Sequence, residues 1–331
     1  MAVAVPTVLA DTKSDQVRVP VIRVEHLTKK FGTEIAVEDI TFEIPEATIF
    51  GFIGPSGSGK TTTVRLLTGV YTPTAGDVTV FGSSPSRFSQ KEQALIGYMP
   101  QLFVLYPNLT VWENLNFAAS LYGMSLFRGK ELKAALEFVE LYEHRSKLAR
   151  NISGGMLRRL SLAATLIHDP QLIFLDEPTA GIDPVLRRKF WDHFRGLKDH
   201  GRTIFVTTQY VSEADNCDLV GIQSNGKLLM VDTPLGIRHQ AYGGDMIDFH
   251  TTKPFDFQNE ALLRSLPFVR AKTVRMNSNS MRIIVDHAST ATPKLMSWAQ
   301  QQNIQVRAVQ DYSPSFEDVF VELLRPEVNH G

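Results

Sequence analysis

Eight residues, Gly54-Pro55-Ser56-Gly57-Ser58-Gly59-Lys60-Thr61, carry the most specific chemistry in the chain. Their spacing, G-x-x-x-x-G-K-[ST], is that of a loop that wraps phosphate groups. Glycine lets the backbone approach an anion without a Cβ clash, and the N–H groups at a helix start point toward it. Lys60 has the reach to touch terminal phosphates, the Thr61 hydroxyl is suited to Mg2+, and Thr62 continues the contact surface into the helix. A second set is Leu172-Ile173-Phe174-Leu175-Asp176-Glu177, an apolar run ending in adjacent carboxylates. Beside a phosphate loop, Asp176 is placed to hold Mg2+ and Glu177 to polarise an attacking water as general base. The third is Ser153-Gly154-Gly155, where a good N-cap and two glycines bare the first N–H groups of a helix. Each set alone also fits an ordinary turn, strand end or helix start. Together they argue for nucleotide chemistry.

Those groups need elements to position them. Ala47 to Ile53 reads as a buried strand, and Thr62 to Leu67 as a helix stopping at Gly69. Short strand-like runs at 21–24, 35–37 and 40–44, with a hairpin strand at 76–82, predict an antiparallel layer. Residues from about 103 to 168 predict a helical subdomain. Strand and helix then alternate at 172–175, 184–198 and 203–206, which predicts a parallel core sheet. Ser224-Asn225-Gly226-Lys227 predicts a two-residue hairpin turn. After a linker at Tyr242-Gly243-Gly244, the order βαββαβ predicts a small ferredoxin-like α+β domain over 245–327. Residues 1–19 read as a flexible leader, and 20–240 as the nucleotide domain. Phe316, Val319, Phe320 and Leu323 form one apolar helical face that needs a partner.

The 331 residues carry 34 basic and 35 acidic side chains, and no Lys/Arg-rich run marks a nucleic-acid partner. A single cysteine, Cys217, cannot form an internal disulfide; it suits a reducing cytosol and reads as a core residue. No apolar run reaches membrane-spanning length, and the start, broken by Pro6, lacks the basic leader of a signal peptide. The loop Leu102 to Thr110 is rich in large apolar groups, which suit either a partner's docking groove or the subdomain's own core. Arg158 and Arg159 suit a phosphate-facing position or, as the favoured reading, a solvated face, and His168 reads as a cation near a helix end.

With these motifs in order, the sequence resembles the ATP-binding cassette ATPase family over about residues 21–240. Ser153-Gly154-Gly155 matches the family signature, and Asp176-Glu177 its Walker B strand. Gln101 matches the Q-loop, Ala180 to Asp183 the D-loop, and Phe31 the aromatic that stacks on adenine. The resemblance implies a P-loop cassette and ATP with Mg2+, the ion held by Thr61, Gln101 and Asp176. It implies catalysis by Glu177 with Gln101 and Gln209, and an ATP-bridged head-to-tail dimer in which Ser153, Gly154, Gly155 and Asp183 take part. It further implies a separate transmembrane permease, served from the cytoplasmic side of the membrane. Two positions depart from the general pattern. Met156 stands where glutamine is usual, and Gln209 replaces the switch histidine with an amide that cannot carry a proton. Both departures, and Pro314 to Phe320, resemble the daunorubicin-resistance type drug exporters, whose permeases are type-2 exporters. The competing readings are a soluble cassette ATPase acting on ribosomes or DNA, and a low-turnover nucleotide-binding regulator.

Overall fold

Alternation in the first residues builds two long ribbons, β1 (Pro20–Phe31) and β2 (Glu34–Pro45). In the computed structural model, which describes residues 20–102, 104–270 and 273–324, they pair antiparallel with bulges. His26 and Asp39 take positive φ at those bulges, which explains why the sequence shows short interrupted runs where the fold has continuous strands. The predicted leader lies outside the described residues. Buried β3 (Ile49–Ile53) feeds the phosphate loop and α1 (Lys60–Leu67); β4 (Ala75–Val80) then pairs with β1. A short α2 (Gln90–Ala94), held by a Ser89–Glu92 capping box, and β5 (Ile96–Met99) were not foreseen from the sequence. The helical region holds α3 (Val111–Leu121), α4 (Gly129–Phe138) and α5 (Gly154–Leu166). Next come β6 (Leu172–Asp176), α6 (Pro184–Asp199), β7 (Thr203–Thr208), β8 (Leu219–Ser224) and β9 (Lys227–Asp232).

The central sheet runs β5-β6-β7-β3-β8-β9, and its β5, β6, β7, β3 and β8 pairings are parallel. β3, β6 and β7 are buried along their whole length, which accounts for their unbroken apolar runs. Between this sheet and the β2-β1-β4 layer lies an aromatic core in which Phe42 stacks on Phe50 at 5.5 Å and Phe50 meets Phe205 at 5.2 Å. The Asn225-Gly226 turn joins β8 to β9 with φ of 49° and 79°, as an Asn-Gly hairpin requires.

The chain divides into two compact units, residues 1–231 and 232–331. The second begins with α7 (Pro234–Tyr242), a helix the sequence reading missed; the expected linker glycine Gly243 is its left-handed C-cap. Then follow β10 (Asp245–Thr251), α8 (Phe257–Arg264), β11 (Val274–Asn277), β12 (Ser280–Val285), α9 (Ala288–Gln301), β13 (Val306–Tyr312) and α10 (Phe316–Leu324). The sheet order β11-β12-β10-β13, antiparallel throughout, is that of a ferredoxin-like domain. Phe249, Ile283, Leu295 and Trp298 are in its core. The apolar face of α10 turns toward α7: Phe316 and Val319 are buried, and the Arg238 guanidinium lies 4.6 Å over the Phe316 ring.

Candidate functional site

The loop between β3 and α1 is shaped by glycines that accept no side chain. A Cβ on Gly54 would stand 2.1 Å from the Gln223 carbonyl oxygen, and one on Gly59, at φ 105°, 2.3 Å from that of Ala36. The hairpin after β8 braces the loop from below, Gly226 N–H donating to the Ser58 carbonyl at 3.0 Å. Lys60, 5% exposed, donates to the Gly54 and Pro55 carbonyls at 2.8 and 2.9 Å, so its ammonium is held across the loop mouth. Burial pushes its pKa below the ordinary value, against the opposing carboxylates of Glu177 and Asp176. The Ser58 hydroxyl is buried with no hydrogen-bond partner among the described residues.

At the end of β6, Asp176 Oδ1 accepts from the Thr61 hydroxyl at 3.3 Å and the Thr207 hydroxyl at 2.5 Å. Its Oδ2 is buried and has no hydrogen-bond partner among the described residues. A buried carboxylate oxygen left open beside a threonine hydroxyl suits a small hard cation. Glu177 sits at φ 54°, held there by its N–H bonding the Thr207 carbonyl and hydroxyl, both at 3.1 Å. That strained backbone turns the residue out of the sheet at the strand end. Gln101 Nε2 donates to Glu177 Oε2 at 3.4 Å, and the Ser56 hydroxyl donates to Gln209 Oε1 at 3.2 Å. Gln101, Asp176, Glu177 and Gln209 therefore gather around residues 54–61, with Thr62 in the first turn of α1.

The other expected residues lie apart from this cluster. Ser153 caps α5 by accepting from Met156 N–H at 3.3 Å, and Asp183 caps α6 by accepting from Val185 and Leu186 N–H. No hydrogen bond among the described residues joins Ser153, Gly154, Gly155 or Asp183 to the loop. Gly155 and Gly181 approach one another, a Cβ on Gly155 lying 3.6 Å from the Gly181 carbonyl. Phe31 is 43% exposed; its ring meets Tyr71 edge-on at 5.3 Å, and the Lys29 ammonium lies over it at 5.1 Å from the centroid.

The fold agrees with the comparisons. The family model described as ABC transporter matches residues 37–180. The linearmycin resistance ATP-binding protein LnrL of Bacillus subtilis is 32% identical over 304 residues, 91% of this chain and 97% of that protein. The chain belongs to the ATP-binding subunits of ABC transporters. It is also 38% identical, over 69% of its length, to the probable multidrug ABC transporter ATP-binding protein YbhF of Escherichia coli, of whose length it spans 40%. A solved ATP-binding cassette, a dimer in a post-hydrolysis state with ADP and phosphate, aligns with a TM-score of 0.60 at 25% identity, over 64% of this chain and 98% of that one.

Within this ABC cassette several residues escaped the sequence reading. Arg158 is not on a solvated face: it is half-buried and donates to the Glu177 carbonyl and, at 3.4 Å, to that of Gln101. It thereby ties the signature helix to the strand end. Arg159 likewise turns inward to the Val139 carbonyl at 3.1 Å. His168 is no charged helix cap; its ring stacks on Tyr122 at 3.5 Å, and burial lowers its pKa. Buried Glu213 accepts from the Thr208 hydroxyl at 2.6 Å and lies 3.6 Å from Arg187, whose guanidinium covers the Tyr210 ring at 4.4 Å. That network fixes the backbone on both sides of Gln209. Only tertiary contacts mark these residues, and no local spacing announces them. In the loop before α3, Leu102, Val104 and Tyr106 are exposed, as are Leu126 and Phe127 at 88% and 96% after it. Asn114 holds that loop, accepting from Tyr106 N–H at 2.7 Å and donating to the carbonyls of Tyr106, Leu109 and Thr110. No helix of the described residues is long and apolar enough to cross a membrane.

Proposed function

We propose that this chain binds and hydrolyses ATP with Mg2+ on the cytoplasmic side of a membrane and powers export of drugs, lipids or other hydrophobic compounds through a separate type-2 permease. The observation that carries this reading is the meeting of the Thr61 hydroxyl, the open Asp176 Oδ2 and Glu177 beside the glycine loop. The loop N–H groups and Lys60 hold the phosphates, and the exposed face of Phe31 receives the adenine. Mg2+, held by Thr61, Asp176 and Gln101, supplies charge neutralisation on the phosphates when bound. Glu177 takes the proton of the attacking water, and Gln209 orients that water and the terminal phosphate through its amide. Ser153, Gly154, Gly155 and Asp183 of a second copy close over the nucleotide, so ATP becomes part of a homodimer interface. The exposed apolar loop around Leu102, Val104 and Tyr106 receives the permease, and the ferredoxin-like unit steadies or tunes the dimer. The export assignment is supported by the names of the relatives, a multidrug and an antibiotic-resistance ATP-binding protein.

The test is Glu177→Gln. Turnover should fall by about 10² to 10⁴, the usual contribution of a general base, while nucleotide binding survives. Light scattering with ATP and Mg2+ should then find a trapped dimer. Hydrolysis at the parent rate refutes the assignment.

A further inference from the structure

We propose that the second unit carries a binding site for a transition-metal ion of the zinc class, formed by His239, Asp245 and His287. Among the described residues these three bring one ligand atom each within 4.8 Å of one another. They come from separate elements: His239 from the last turn of α7, Asp245 from the first position of β10, and His287 from the N-cap of α9. The chain between the first two is bent to bring them together. Gly243 and Gly244 sit at φ 70° and 155°, and a Cβ on Gly244 would lie 2.3 Å from the Val285 carbonyl. The same approach sets the ladder, in which Asp245 pairs with Val285, two residues before His287.

Two imidazoles and a carboxylate are a donor set that zinc accepts in sites with an open fourth position. Ligand atoms about 2.1 Å from a tetrahedral ion stand about 3.4 Å apart. His239 Nδ1 and Asp245 Oδ1 are 2.8 Å apart and the imidazole rings lie nearly parallel, at 5.4 Å and 16°. A coordination shell asks this pair to part by about 0.6 Å, with all three ligand atoms already within 4.8 Å of one another. Asp245 is already oriented for the task, because its Oδ2 accepts from Ala288 N–H at 2.8 Å, the kind of outer hydrogen bond that fixes a metal-ligating carboxylate. Its negative charge also offsets the positive N-terminal end of α9, which would otherwise oppose a cation. Bound there, the ion clamps α7 onto the ferredoxin-like sheet. Without it, the same groups form a plain His239–Asp245 pair, and that is the outcome the experiment must separate.

The full-length chain, stripped with chelator and kept free of nucleotide and Mg2+, is titrated with ZnCl2 by calorimetry and by thermal unfolding. Parent protein should bind one equivalent that His287→Ala does not bind, and its unfolding midpoint should rise with zinc while that of His287→Ala stays put. Asp245→Asn should weaken binding at least tenfold. His287→Ala should leave the fold intact, since the residue is exposed, makes no side-chain capping hydrogen bond to α9 and gives up only its stacking on the His239 ring. Absence of zinc binding by the parent overturns the proposal, and so does equal stoichiometry and affinity in parent and His287→Ala.

Discussion

Two glycine-rich helix starts in the same unit, at residues 54–61 and at 153–155, follow opposite plans. The first is closed on itself. Its lysine is buried across its own carbonyls, its serine hydroxyl and the neighbouring Asp176 oxygen are buried without partners, and a hairpin turn supports it from below. The second is exposed, and among the described residues its serine side chain bonds only to cap its own helix. Buried polar atoms without partners cost free energy unless something arrives to bond them. An exposed cap carries no such debt. On the function proposed above, the first is a half-site complete within one chain and the second is one that another chain completes.

Removing the lysine should separate the two halves most sharply. Lys60→Ala deletes a charge-assisted contact to phosphate, and ATP affinity measured by calorimetry should fall about 100-fold or more. Unchanged affinity would mean that the first plan has been misread. Ser153→Ala should do the reverse. ATP binding by the isolated chain should stay within about twofold, while steady-state turnover falls about tenfold and the lost cap costs about 1 kcal/mol of stability in denaturant titration. An equal loss of binding and turnover would place Ser153 in the same half-site as Lys60.

How much of this was legible depends on how far apart the interacting residues lie along the chain. The glycine loop, the acidic strand end and the Asn225-Gly226 turn are local constraints, and local constraints are written in consecutive letters. The interrupted antiparallel strands were half-read, because the bulges at His26 and Asp39 break the alternation that a strand should show. Tyr71 beside Phe31, Arg158 on the Glu177 carbonyl and Gln223 beneath the loop were not legible, since each acts across many residues through one contact. The helix α7 was hidden for another reason: only Ile237 on it is buried, so it shows little amphipathic period.

Smaller effects refine the picture. Gln209→Ala should lower turnover about tenfold with little loss of ATP affinity, and the pH profile should lack a step near pH 6–7 that this substitution removes. An alanine variant at parent turnover would take Gln209 out of the mechanism. The last effect belongs to the scaffold. Burial lowers the pKa of His168 and of His193 from the ordinary 6.5, so the unfolded chain binds more protons than the folded one as pH falls. Stability from these rings is present above pH 6.5 and is lost as pH drops toward their folded values. The urea midpoint should therefore decline below about pH 6.5, and less so in His168→Gln.

Cys217 has a use beyond its place in the core. It is the one cysteine in the chain, it is buried against β3, and burial with neighbouring acidic groups raises its thiol pKa well above the ordinary value. Thiol reagents act on the thiolate of accessible cysteines, so the natural sequence is chemically silent toward them. A single cysteine placed on the exposed Val185 or Leu235 would then be the one labelled position, and in the proposed homodimer the distance between two such labels would report its opening and closing in real time.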